Sequence, residues 1–206
     1  INARYLPEVI FPPNIHCSDD YQTVLSGVQD ILIVVPSAVF HANLVKLKPF
    51  LQSNQRLLWA SKGLDTKKHQ LLNEVVKEIL GDKEMAVLSG PSFAKEVAMG
   101  LPTAINIASE NYNFAHDLLL RFQTKRFRVE ITSDIIGVEL GGAMKNVLAI
   151  AVGITEGLGF GANAKAAVIT YGLSEMIELG LVLGAKQETF LGLSGLGDLV
   201  LTCTDN

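Results

Sequence analysis

Through residue 131 the chain alternates short apolar runs with longer stretches in which apolar residues recur every three or four positions. The short runs, rich in Ile, Val and Leu and bounded by polar or glycine-containing turns, predict strands at residues 30–35, 56–60, 85–88, 103–108 and 126–131. Residues 37–51, 68–80 and 112–122 carry apolar positions at helical spacing and predict helices between those strands. Alternation of this kind defines the α/β class, and the nearly unbroken apolar run at 31–35 suits a parallel sheet covered on both faces. Past Asp134 the texture changes to long helical stretches rich in alanine and glycine, with no further strand. A domain boundary is therefore set between 1–133 and 134–206, and small residues such as Gly141, Gly142, Ala149 and Ala151 would let the later helices approach closely.

Composition narrows the partners. With 206 residues and 49% hydrophobic content the chain can bury a core, and its net charge of -4, spread without basic clusters, excludes nucleic acid and an anionic membrane surface. Cys17 and Cys203 stand near opposite ends and form no C-x-x-C pair, which fits a reducing cytoplasm. His16, His41, His69 and His116 lack ligand spacing, so no metal is expected. The apolar run around Lys145 is long enough to raise a transmembrane question, but Glu139, Lys145, Asn146 and its glycines favour a buried helix over a membrane span. The chain opens on Ile1 without a signal pattern and is expected to be an interior piece of a longer protein.

The candidate chemistry starts at Lys145, a lone cation in the run 135–155, which must be solvated, paired or chemically employed. A buried, paired lysine suits proton transfer near neutral pH, whereas one at a helix edge would only bury its stem and keep its head wet. Three further glycine-flanked polar residues fall at element ends. Lys62-Gly63 follows a strand, where open α/β sheets bind ligands; the plain alternative is an exposed turn lysine. Ser89-Gly90-Pro91-Ser92 follows the next strand, with Ser92 read as the N-cap of a short helix whose exposed N–H groups could also hold substrate or phosphate oxygens. Asp198, after Gly192, Gly195 and Gly197, is either a helix cap or a carboxylate that orients Lys145. The match of Gly157, Gly159 and Ala162 to the dinucleotide fingerprint G-x-G-x-x-A follows a helix rather than a strand and reads as a turn between helices.

Together, Val35-Pro36-Ser37, Lys62-Gly63, the stretch from Leu88 to Ala94, the GVELGGAMKN stretch from Gly137 to Asn146, Asn163-Ala164-Lys165-Ala166 and Gly195-Leu196-Gly197-Asp198-Leu199 resemble the bacterial NAD(P)-dependent glycerol-3-phosphate dehydrogenases along the whole chain. The resemblance implies a Rossmann-type, parallel-rich sheet lacking its first βαβ unit, in a partial dinucleotide-binding domain at 1–133. The start of an all-helical substrate domain would follow at 134–206. It implies interconversion of dihydroxyacetone phosphate and sn-glycerol 3-phosphate with NAD or NADP as cofactor, in a cytoplasmic homodimer feeding glycerophospholipid synthesis. Lys145 would be the proton donor and acceptor. Lys62 would touch substrate and nicotinamide, Gly90 and Ser92 the substrate, Pro36 and Ala94 the cofactor, and Asp198 a substrate hydroxyl, with Asn146 and Thr202 nearby. Ala162 and Tyr171 depart from the family's common acid and arginine, both away from the chemistry. The family's glycine fingerprint would precede Ile1, and its phosphate-gripping Ser-Arg-Asn segment would follow Asn206.

Two other readings remain. A β-hydroxyacid or 6-phosphogluconate-type dehydrogenase would place an asparagine about one helical turn after the lysine, yet Asn146 is adjacent and position 149 is alanine. A non-catalytic nucleotide-binding module has no use for two cations and an acid at one cleft.

Overall fold

The structure, a computed structural model of the chain, describes residues 4–204. Five strands, β1 (Asp30–Ile33), β2 (Arg56–Trp59), β3 (Met85–Ser89), β4 (Thr103–Ala108) and β5 (Phe127–Thr132), form one sheet in the order β1-β2-β3-β4-β5. The sheet is parallel-rich with helices around it, as the sequence pattern predicts, and one pairing departs from that pattern. β4 runs antiparallel to β3, with Ser89 opposite Asn106, whereas the other neighbours are parallel. The reason is the connection. Helix α4 (Ala94–Ala98) has five residues and spans only about 7.5 Å, too short for the crossover that would return the chain to the other end of the sheet.

Four more helices accompany the strands: α1 (Tyr21–Leu25), α2 (Ser37–Leu47), α3 (Leu72–Leu80) and α5 (Tyr112–Phe122). The short α1 has no counterpart among the predicted helices; Asp20 caps it by accepting the Gln22 and Thr23 N–H groups. α2 stops at Leu47 rather than at 51 because Pro49 turns the next residues into a short 3-10 turn. α3 starts at Leu72 rather than at 68 because the Asp65 carboxylate takes the N–H groups of Lys67 and Lys68, and His69 has a positive φ of 55°. Alternating strand residues fill two cores. Leu57, Trp59 and Val87 pack with Phe40, Leu44 and Val75 on one face, and Leu58, Leu88 and Ile107 with Phe114 and Leu118 on the other. At β1 the expected two-sided cover fails, since Ile31 and Ile33 are buried while Leu32 and Val34 are exposed.

After β5 the chain is helical, in α6 (Ile135–Gly157), α7 (Gly161–Val182), α8 (Gln187–Leu191) and α9 (Asp198–Thr204). The G-x-G-x-x-A match falls across the α6–α7 turn, where Gly159 and Gly161 have positive φ. α6 is long and apolar enough to cross a membrane by length and composition, and here it packs against β3, α7 and α9. Asp134 fixes its start by accepting the Gly137 N–H at 2.9 Å while its other oxygen takes Lys186 N–H and the Thr189 hydroxyl. A methyl at Gly141 would lie 2.3 Å from the Ser194 carbonyl oxygen, so only glycine lets α6 meet the π-helical turn at Leu193–Gly197 this closely. Leu140, Val152, Met176, Phe190 and Leu199 form the core of this half.

Candidate active site

Three elements distant in sequence converge on one carboxylate. Lys62, just beyond the end of β2, donates from Nζ to Asp198 Oδ2 at 2.6 Å and to the Gly90 carbonyl at 2.8 Å. Lys145, midway along α6, donates to Asp198 Oδ1, also at 2.6 Å. Lys62 and Asp198 are 136 residues apart, and Lys145 and Asp198 are 53 apart. The Asp198 side chain is 1% exposed, Lys145 9% and Lys62 20%, so the ions sit at the floor of a cleft with Lys62 toward its mouth. Burial, the largest cause, pushes the Lys62 ammonium down from 10.5 to about 8; Asp198 opposes that shift and Lys145 reinforces it.

Each residue reaches this place for a local reason. Lys62 leaves the sheet where Ser61 ties β2 to β1 by donating to the Val35 carbonyl. Gly90 has φ 144°, and a Cβ there would lie 3.0 Å from Ile105 Cα; glycine alone lets the carbonyl turn toward Lys62. Asp198 is seated by the π-helical turn, whose Ser194 is fully buried. Its N–H and hydroxyl both go to Asn106 Oδ1 on β4, at 3.1 and 2.8 Å, and the hydroxyl also reaches the Ser89 carbonyl. The antiparallel β4 brings Asn106 beside Ser89.

The sequence left two roles open that the geometry bears on. Asp198 is helical in its own backbone (φ −71°, ψ −31°) and both carboxylate oxygens face lysines, so it does not act as the cap of α9. Ser92 is not the cap of α4 either: that position is Phe93, and the Ser92 hydroxyl donates to the Gly90 carbonyl at 3.0 Å, closing the glycine-proline turn on itself. Thr202 is buried and its hydroxyl donates to the Asp198 backbone carbonyl one turn back in α9. Asn146 is exposed and points about 100° around α6 from Lys145. Pro36 is the N-cap residue of α2 beyond β1, and Ala94 opens α4.

Beside the ions runs an apolar groove of about 350 Å³, walled by Val34, Ala60, Leu88, Ala94, Val97 and Ile105, with Lys62 and Ser92 in its lining. Ser89 Oγ, in the same lining, is buried and has no hydrogen-bond partner. Sequence reasoning passed over Asn106 and Ser194, neither of which is charged. A serine buried among three glycines, in a turn tight enough to need them, was the available signal.

A parallel-rich sheet with helices on both faces, opening at its strand ends onto a lysine–aspartate–lysine cluster and an apolar groove, defines a Rossmann-type α/β protein joined to a helical half. Residues 1–115 match the model for the NAD-dependent glycerol-3-phosphate dehydrogenase N-terminus, and residues 134–206 that for the C-terminus. The chain is 55% identical to glycerol-3-phosphate dehydrogenase [NAD(P)+] of Klebsiella pneumoniae, covering 100% of this chain and 61% of that one. It is 54% identical to the Haemophilus influenzae protein of the same name, covering 100% of this chain and 62% of that one. The crystal structure of glycerol-3-phosphate dehydrogenase from Coxiella burnetii superposes with a TM-score of 0.97 at 54% identity, covering 100% of this chain and 63% of that one. The chain belongs to the NAD-dependent glycerol-3-phosphate dehydrogenase family. It spans about 61% of the length of the curated relatives it matches.

Proposed function

We propose that this chain carries the acid–base and nicotinamide-facing part of an enzyme that interconverts dihydroxyacetone phosphate and sn-glycerol 3-phosphate with NAD(P)H and NAD(P). The observation that carries the reading is the shared Asp198 carboxylate between two lysines at the end of the groove. Two ammonium groups against one carboxylate give the cleft a positive excess that attracts a phosphorylated substrate. The residues present fit a nicotinamide ring. The groove offers apolar walls, Ser89 Oγ is a buried polar atom without a partner, and Pro36, Lys62 and Ala94 would hold that end of the cofactor. When bound, the nicotinamide supplies or takes the hydride at the substrate's central carbon.

The chain's own residues do the rest. Lys145 gives a proton from Nζ to the ketone oxygen in reduction and accepts the hydroxyl proton in oxidation; positioned transfer of this kind contributes roughly a hundred- to ten-thousand-fold. Asp198 orients Lys145 and accepts from a substrate hydroxyl, with Thr202 and Asn146 close by in sequence to the two reacting groups. Lys62, Gly90 and Ser92 hold the substrate at the mouth of the cleft. Residues 1–133 and 134–206 then divide the work, the first facing the cofactor and the second supplying the proton. The reading extends to a cytoplasmic homodimer that feeds glycerophospholipid synthesis, supported by the family alone.

The test is loss of nicotinamide absorbance when the full-length protein meets dihydroxyacetone phosphate, with NADH and NADPH run in parallel. Consumption of at least one is expected. No consumption of either at micromolar enzyme would overturn the reading.

A further inference from the structure

Glu139 lies on α6 a little under two turns before Lys145, and no step of the reaction uses it. Its side chain is buried, and Oε1 accepts the Trp59 indole N–H at 3.0 Å. The Asn73 backbone N–H reaches both carboxyl oxygens, each at 3.2 Å. Asn73 belongs to the first turn of α3, whose N-cap is Leu71 and has no side-chain acceptor of its own. Glu139 therefore caps α3 from a different element. Trp59 is the last residue of β2, three positions before Lys62, and its fully buried ring is held edge-on against Phe40. One carboxyl group thus joins the strand that carries Lys62, a neighbouring helix and the helix that carries Lys145.

We propose that Glu139 is a positioning residue: by fastening the end of β2 and the start of α3 to α6, it sets the separation at which Asp198 can serve Lys62 and Lys145 at once. The inference rests on the reading of those lysines given above. Both lysine–carboxylate contacts, at 2.6 Å, are already at the short end for charge-assisted bonds, so a slip of about 1 Å between β2 and α6 breaks one of them. The donors to Glu139 are uncharged, and the carboxylate acting on it from α3 is Glu74. Burial, the largest cause, pushes its carboxyl up to about 8 in spite of those donors. Glutamine is therefore a close stand-in, keeping the acceptor for the indole.

The experiment compares Glu139→Ala and Glu139→Gln in the full-length enzyme. Alanine is expected to lower kcat at least tenfold, about 1.4 kcal/mol, and to shift the alkaline limb of the pH profile, and glutamine to stay within about threefold of wild type. A second readout is independent of turnover: the pH dependence of Lys62 and Lys145 acetylation by acetic anhydride, followed by peptide mass spectrometry. In Glu139→Ala the Lys62 midpoint is expected to fall below about 8, because the slip takes away the Asp198 anion that opposes the effect of burial. A role confined to stability would lower the melting temperature and leave that midpoint in place. If the wild type does not turn over dihydroxyacetone phosphate, the functional reading fails and the labelling alone judges Glu139. Unchanged labelling and kinetics in the alanine variant would overturn the proposal, as would a glutamine variant as impaired as alanine. Should the alanine variant not fold, Trp59→Phe, which removes only the indole donor, must move the Lys62 midpoint in the same direction, and an unmoved midpoint overturns the proposal.

Discussion

Asp198 and Glu139 are both buried acids, one paired with a lysine of α6 and the other on α6 itself, 1% and 5% exposed, and their surroundings differ in one respect. Asp198 has an ammonium group on each oxygen. Glu139 has an indole N–H and a backbone N–H, which are dipoles without net charge. Removing a carboxylate from water costs several kcal/mol; a cation within 3 Å repays far more of that than a neutral donor does. At Glu139 the donors lose to burial and the carboxyl rises to about 8. At the neighbouring site the burden falls on the cation nearer the mouth, and Lys62 drops to about 8. Burial is nearly the same at the two sites, so it is the charge of the partner that separates a neutral hydrogen-bonded carboxyl from a carboxylate held between two cations.

The comparison is broken most directly at its ionic end. Lys145→Met in the full-length enzyme is expected to lower turnover by roughly a hundred- to ten-thousand-fold while nicotinamide binding, measured by calorimetry, stays intact. A variant that keeps more than about a tenth of wild-type turnover would remove Lys145 from the role of acid. Asp198→Asn comes next, with at least a tenfold loss, about 1.4 kcal/mol of transition-state stabilisation. Had Asp198 been a cap, asparagine would have kept stability within about 1 kcal/mol. Since among the described residues it is the one carboxylate that the two lysines share, the melting temperature should fall as well, because the ammonium groups are left facing each other. The alkaline limb should move to lower pH, since losing an anion favours the neutral amine. Normal turnover with an unmoved limb would refute the shared-carboxylate arrangement.

What could be read from the sequence follows the range of the forces involved. Strand and helix identities rest on local periodicity, and all five strands appear within two residues of the runs that predict them. Lys145 stood out because a lone cation in an apolar run must be accounted for. Glu139 obeys the same argument six residues earlier, and the sequence offered it only as evidence against a membrane span. Its partners Trp59 and Asn73 lie 80 and 66 residues away, so its role depends on packing that no local pattern encodes. The antiparallel β4 was hidden for another reason: apolar alternation is blind to strand direction, and the length of α4 alone carried the information.

The neutral clasp can be tested by pH. A carboxyl raised to about 8 in the folded protein, against 4.5 unfolded, contributes stability that is fully present below pH 4.5 and is lost as pH rises through 8. Denaturant unfolding of the wild type should therefore weaken across that window, with this group adding a slope of up to about 1.4 kcal/mol per pH unit. Glu139→Gln has no proton to lose, so its curve should be flatter between the same limits. Parallel curves for the two proteins would show that Glu139 is ionised in the folded state and that dipoles alone can hold it so.

The smallest effect expected is in substrate affinity, and it probes the more exposed of the two cations, Lys62. Lys62 is lowered to about 8 from 10.5, so it is charged below pH 8 and loses its proton first in the folded state. Its linkage runs opposite to that of Glu139: the stability it contributes is present above about 10.5 and is lost as pH falls through 8. Under the proposed function, the charged form is the one that would attract a phosphorylated substrate. The KM for dihydroxyacetone phosphate should be level at neutral pH and rise roughly three- to tenfold between pH 8 and pH 9, since each unit above the midpoint removes most of the remaining cation. In Lys62→Arg the guanidinium stays charged throughout, so KM should be higher at neutral pH, because the planar fork cannot reproduce both Lys62 contacts, yet level across the alkaline range. An alkaline rise of the same size in the arginine variant would assign the titration to a different group and leave Lys62 as a spacer that holds Asp198 toward Lys145.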